Sequence, residues 1–234
     1  MGEHTVSSFD EELKNIDRLI RDMGSLAGSM VEAAIRALLS SDTAMAQTVI
    51  SEDLVMDARQ RALDEQAITL IARRQPMAQD LRAVLGAIRM AGDLERIGDL
   101  AKNIAKRVGA VGLAAPKDLS HSIDAMSKLV LDQVYGVIEL YVGRQAEGLK
   151  MLRMDDQKID VKYTSVFREL LTYMMEDPRN ITACTHLLFC AKNLERIGDH
   201  VTNIAENAYF VVTGTQLPAN RPKVDETATS VSAA

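Results

Sequence analysis
The chain has 234 residues and a net charge of -6; 47% of its residues are hydrophobic but only 4% are aromatic, with no Trp. That length suits two small domains, and the wealth of Ala, Leu, Met, Glu, Asp and Arg favours helix over strand, so an all-α protein is expected. The acidic balance excludes a general nucleic-acid binder, which needs a basic stripe to displace counterions.

From Phe9 the apolar positions Phe9, Leu13, Ile16, Ile20, Met23, Ala27, Met30, Ala34 and Ala37 alternate steps of four and three, a heptad stripe that leaves room for a homodimer. Ser40 to Asp42 offer a break and an N-cap, and a second helix is predicted to about Arg73. Pro76 suits the first turn of a third helix, which runs through "AGDLERIGDLAKNIAKR" from Ala91 until Gly109 and Gly112 stop it. "GAVGLAAP", from Gly109, has neither charge nor period and reads as a linker.

The second half repeats the plan. Leu119, Ile123, Met126, Val130, Val134 and Val137 restore the stripe, a break near Gly143 to Gly148 precedes a helix through Met175, and Pro178 opens the sixth helix. The expected fold is a tandem repeat of two antiparallel three-helix bundles, six long helices in all. Its boundaries are 1–110 for the first bundle, 111–117 for the linker, 118–213 for the second and 214–234 for a flexible tail. No uncharged apolar run reaches a span of about 18 residues, and the start lacks a signal-peptide stretch. A cytoplasmic location is expected, with membrane contact only through partners. Cys184 and Cys190 are about 240° apart on one helix, too divergent to pair or share a metal, and read as reduced core thiols.

The hexapeptide LERIGD occurs twice, from Leu94 and from Leu194. Each copy places two acids at i and i+4, Glu95 with Asp99 and Glu195 with Asp199, and Asn103 and Asn203 extend the two rows. The same spacing recurs upstream as Asp53 with Asp57 in "EDLVMD" and Asp156 with Asp160 in "DDQKID". If the chain turns around just before Pro76, the Asp pair and the LERIGD pair lie about 20 residues to either side, roughly 30 Å from the turn, and meet at one level. Equal arithmetic about Pro178 brings the second set together.

Four carboxylates at one height repel, and a divalent or trivalent cation offsets this; hard oxygen donors suit Mg, Mn, Ca or iron, with zinc next. The bland alternative is a solvated acidic face, because Leu94, Ile97, Ala101, Ile104 and Val108 form an apolar stripe roughly opposite. That exposure would put a metal in a surface groove. Arg96 and Arg196 read as partners of neighbouring acids or as anion contacts. Gly98 and Gly198, each costing about 1 kcal/mol relative to Ala inside a helix, point to close approach or ligand access. His200 has Leu100 as its counterpart, so a ligand role there is weak. No Glu-x-x-His pair, phosphate loop or nucleophile set stands out, so catalysis has little support in the sequence and a carboxylate-metal enzyme is only the second reading.

The paired acids in LERIGD, "RQPMAQDLR" before the third helix, the "FDEEL" helix start and "YFVVTG" at the end of the sixth helix together resemble the PhoU family of phosphate-uptake regulators, over roughly residues 5 to 214. The resemblance implies tandem three-helix bundles and, as in some members, multinuclear iron or zinc clusters. Asp53, Asp57, Glu95 and Asp99 would form one cluster, and Asp156, Asp160, Glu195 and Asp199 the other. It also implies a non-enzymatic role that damps phosphate import and the starvation response. The implied partners are the ATPase subunit of the phosphate ABC transporter and a phosphate-sensing histidine kinase.

Overall fold
The computed structural model describes residues 2–111 and 117–218. In chain order these form α1 (Gly2–Ser40), α2 (Thr43–Arg74), α3 (Gln79–Ala105), α4 (Val108–Val111), α5 (Lys117–Val142), α6 (Ala146–Asp155), α7 (Gln157–Glu176) and α8 (Ile181–Thr213). With α4 a single turn and α6 and α7 in near continuation, six long rods remain. α1 to α3 make one antiparallel bundle and α5 to α8 the other, as the periodicity predicts. Positions 112–116 of the expected linker and 219–234 of the expected tail lie outside the described residues.

The heptads become the core. From Ile16 to Ala37 every stripe residue of α1 is at most 2% exposed, and the α5 stripe from Leu119 to Val137 is fully buried. Both belong to one continuous apolar cluster that runs through the two halves. Full burial of each large side chain contributes about 1.5–3 kcal/mol. Because α1 packs on α2, α3 and α5, the stripe that suggested a homodimer is consumed within the chain. Cys184 and Cys190 are buried free thiols, and burial pushes Cys190 up to about 12. Among the described residues no helix is long and apolar enough to cross a membrane.

Helix ends follow local chemistry, with some departures from expectation. Asp42 caps α2 by accepting from the N–H groups of Ala44 and Met45, both at 2.9 Å. Asp177 accepts from the Arg179 N–H at 3.0 Å, and Pro178 opens a single 3-10 turn that leads directly into α8, as expected. Pro76 does not open α3: Gln75 holds a left-handed backbone and Ala78 another positive φ, 49° and 48°, so helical geometry starts only at Gln79. Gly109 does not stop the third helix either, since α3 ends at Ala105 and Gly109 sits inside α4. The expected single helix through Met175 is split at Asp156, a weak helix former whose carbonyl accepts from the amides of Ile159 and Asp160. The tail, expected to be loose from Gly214, is tied as far as Pro218, whose carbonyl accepts from Arg153 at 3.0 Å.

The two bundles lie side by side with opposed direction. On α1 and α5, Gly24 faces Ile138 and Gly28 faces Tyr135, while Tyr141 donates to Asp17. On α3 and α8, Gly86 faces Val211, and Asp93 meets His200. Numbers rise on one helix as they fall on its partner, so both contacts are antiparallel. A Cβ at Gly86 would stand 2.2 Å from Val211 and one at Gly28 2.4 Å from Tyr135, so these helices meet through glycine. The antiparallel register sets the two LERIGD segments at one level, near the middle of the α3–α8 seam.

Candidate metal centre
In the first bundle, the α2–α3 reversal brings Asp53 and Asp57 to Glu95 and Asp99, as the level arithmetic predicts. The junction is visible in Lys102, whose Nζ donates at 2.6 Å to Asp53 on α2 and at 2.6 Å to Asp99 on α3. Asp53 is buried, and Asp57, Glu95 and Asp99 are half-buried. Burial raises the Glu95 carboxyl above its ordinary range; Asp99, Asp57 and Asp53 add to this and Arg96 opposes it. Arg96 stays exposed and reaches Glu95 at 3.5 Å and Asp99 at 3.3 Å, the structural role anticipated for it.

The second cluster lies deeper. Asp156, Asp160 and Glu195 are buried at 2%, 4% and 5% exposure, with only Asp199 half-buried. This corrects the expectation of a solvated groove. A helical wheel describes α8 alone, whereas α6 and α7 cover its acidic face. Gly198 is what admits them: a Cβ there would stand 2.8 Å from Asp156 Oδ1 and 3.0 Å from Ile159. Glycine in the hexapeptide therefore makes room for a carboxylate. Its twin Gly98 instead abuts Met56 and Met30.

Glu195 carries the electrostatic strain. Its Oε1 accepts from Lys192 at 2.8 Å, while Oε2 is buried with no hydrogen-bond partner. Burial is the largest cause that raises its carboxyl, Lys192 opposes, and Asp199 and Asp160 raise it further. A carboxyl raised in the folded state binds protons that the unfolded chain has already lost. It therefore lowers stability as pH climbs from about 4.5, the ordinary Glu value, through the native one. In chelator-treated protein, the urea midpoint of Glu195→Gln should rise relative to wild type across that window, with the gap closing at lower pH.

Asn103 and Asn203 do not join the clusters. Asn103 is exposed, and Asn203 donates to Asp93 at 3.2 Å across the seam. His200 likewise bonds Asp93 at 2.9 Å rather than its own Asp pair. Asp93, Lys102 and Lys192 are the polar residues that the acid spacing missed; a lysine at i+3 from Asp99 and an acid at i+3 from Lys192 were the available signals. A cleft of about 650 Å³, lined by Gln60, Arg89, Glu95, Asn203 and Phe210 among others, gives solvent a path to the first cluster.

Both sets offer only hard oxygen donors, which fits Mg, Mn or iron best. Among the described residues, no three His, Cys, Asp or Glu side chains already surround one point as ligands would. The orphaned oxygen of Glu195 is the one feature of the second cluster that fits a cation. In the first, an ammonium already lies between the carboxylates.

The PhoU domain family model matches this chain twice, over residues 20–108 and 123–208. The phosphate-specific transport system accessory protein PhoU homolog of Rhizobium meliloti (strain 1021) is 56% identical over 227 residues, 97% of this chain and 96% of that protein. The homolog of Caulobacter vibrioides (strain NA1000 / CB15N) is 46% identical over 226 residues, 96% of this chain and 98% of that protein. Among solved structures, PhoU from Pseudomonas aeruginosa aligns with a TM-score of 0.84 at 33% identity, covering 88% of this chain and 100% of that one. The phosphate transport system regulatory protein PhoU from Streptococcus pneumoniae aligns at 0.83 and 28% identity, covering 90% and 99%. With two matched domains, near full-length relatives and the same fold, this chain belongs to the PhoU family.

Proposed function
We propose that this protein is a non-enzymatic, cytoplasmic accessory regulator of phosphate-specific transport that restrains both phosphate import and the phosphate-starvation response. Kinship carries the reading: relatives named as accessory proteins of that transport system match this chain over nearly its whole length. Its partners are the ATPase subunit of the phosphate ABC transporter and a phosphate-sensing histidine kinase, reached at the inner face of the membrane. Docking onto partners agrees with the lack of any membrane-crossing helix among the described residues.

Metal ions, iron or zinc by family resemblance and Mg or Mn by donor chemistry, are held by Asp53, Asp57, Glu95 and Asp99 and by Asp156, Asp160, Glu195 and Asp199. Bound there, a cation supplies the positive charge that lets acids of neighbouring helices ionise together. The buried, partnerless Oε2 of Glu195 is the best support for this part.

Deleting the gene should raise a phosphate-starvation reporter in phosphate-rich medium, and the purified protein should retain the transporter ATPase subunit from solubilised membranes. An unchanged reporter would overturn the regulatory role. Metal content of protein purified without chelator should fall in the Glu95→Ala, Asp99→Ala, Glu195→Ala, Asp199→Ala variant. Equal content in both would sink the ligand assignment.

A further inference from the structure
On geometry independent of any metal, we propose that the cleft along the α3–α8 seam binds a nucleoside phosphate, with its phosphoryl oxygens on Arg89 and Arg96 and its base toward Phe210. The cleft holds about 650 Å³. That lies within the roughly 300–1,000 Å³ of small-molecule sites and exceeds what one inorganic anion fills. Its floor is one face of α3, where Arg89, Gly92 and Arg96 follow at steps of three and four residues. Two helical turns set the two arginine stems about 10 Å apart along the axis, with the glycine between them. Among the described residues, a Cβ at Gly92 would find only Gln60 Nε2 within 4 Å, at 3.9 Å. No close helix contact demands a glycine there, and its effect is to keep the floor open. The second repeat has Phe189 and Lys192 where the first has Arg89 and Gly92.

Three acids also line the cleft, and each already has a partner. Asp93 meets His200 at 2.9 Å and Asn203 at 3.2 Å, Glu206 accepts from Arg153 at 2.6 Å, and Glu95 lies 3.5 Å from Arg96. Arg89 is exposed and forms no ion pair or hydrogen bond among the described residues, so its charge is the one left over. A guanidinium presents its N–H donors in a planar fork that matches phosphoryl oxygens. Arg96 is exposed as well, and its contacts to Glu95 and Asp99 are long enough, 3.5 and 3.3 Å, for it to turn to the same ligand.

A carboxylate would satisfy the arginines alone; the rest of the lining selects a nucleoside. Phe210 on α8 supplies an aromatic surface for a base. Gln60 on α2 and Gln216 beyond α8 bring carboxamides, each offering donors and an acceptor as a base edge requires. Because α2, α3, α8 and the segment after α8 all contribute, a bound ligand ties the two bundles and the chain end together.

Fluorescence anisotropy of N-methylanthraniloyl-ADP with full-length protein in EDTA tests this. The acid clusters then hold no metal, so failure of the metal reading leaves the outcome untouched. Saturable binding is expected, displaced by unlabelled ADP but not by adenosine, citrate or inorganic phosphate at the same concentration. Arg89→Gln should weaken it about tenfold, the loss of a charge-assisted contact, and Arg89→Lys less. Gly92→Leu, which fills the floor without changing a charge, should abolish it, and Arg196→Gln, exposed on the second repeat, should bind as wild type does. ADP should also slow hydrogen exchange at Thr215 to Leu217 in wild type and not in Gly92→Leu. Thermal melts by circular dichroism verify folding, and Arg89→Gln, altered at an exposed position, stands in if Gly92→Leu does not fold.

A probe that unlabelled ADP does not displace would overturn the proposal. So would unchanged affinity in folded Arg89→Gln and Gly92→Leu, which would put the nucleotide elsewhere on the protein. Displacement by inorganic phosphate or citrate as strong as by ADP would overturn it too, since the cleft would then read an anion and no nucleoside.

Discussion
Replacing Leu194 with Ala is expected to destabilise the protein by about 2–5 kcal/mol, a large part of the 5–15 kcal/mol typical of folded domains. Leu194 opens the second LERIGD and is fully buried, as are Leu94 in the first copy and Ile97 and Ile197 in both. The hexapeptide therefore has two jobs on opposite sides of one helix. Leu and Ile anchor it in the core, while Glu and Asp face the neighbouring middle helix. Removing three carbons at position 194 leaves a cavity one residue from Glu195, and the surrounding helices cannot collapse fully into it. Urea unfolding checks the size of the loss. Arg196→Ala, two residues away but exposed, should change stability by no more than about 0.5 kcal/mol.

The same opposition explains what was legible beforehand. Period alone located the core of α1 and α5, because a heptad stripe has one physical use in a long helix. Reversals near Pro76 and Pro178 were enough to level each Asp pair with its LERIGD, since rise per residue is constant. What a single-helix pattern cannot carry is the burial imposed by a neighbour. Glu195 looked solvated until α6 and α7 were laid over it, and Gly198 gave the only hint. The side-by-side contact of the two halves was equally hidden. It depends on Gly24, Gly28 and Gly86 meeting Ile138, Tyr135 and Val211, pairs far apart in sequence that no periodicity links. Lys102 is hidden for a simpler reason: the spacing of acids on one helix says nothing of a cation that reaches across to the acid of another, as Lys102 does to Asp53.

Arg153→Ala is the second large effect expected, a loss of about 1.5–3 kcal/mol, the range for hydrogen bonds to charged groups. Leu149, Leu152 and Arg153 share the buried face of α6, so the guanidinium enters the interior at 7% side-chain exposure. There Nε donates to Glu206 at 2.6 Å and Nη2 to the Pro218 carbonyl at 3.0 Å. The two partners respond differently to its removal. Glu206 is 42% exposed, so water can replace the lost donor, and Glu206→Gln should be mild. Residues 214–218 lose their anchor instead, and Gln216 and Leu217 leave the wall of the cleft beside Glu95. Hydrogen exchange should therefore quicken at the amides of Thr215 to Leu217 in Arg153→Ala and stay slow through the α3 core. Arg153→Met separates the contributions, because it keeps the apolar stem and removes the charge. If Arg153→Met restores stability but not the slow exchange, the guanidinium serves to hold the chain end against α8, and its stem supplies the packing. Unchanged exchange in both variants would show that the Pro218 contact does not restrain the chain in solution.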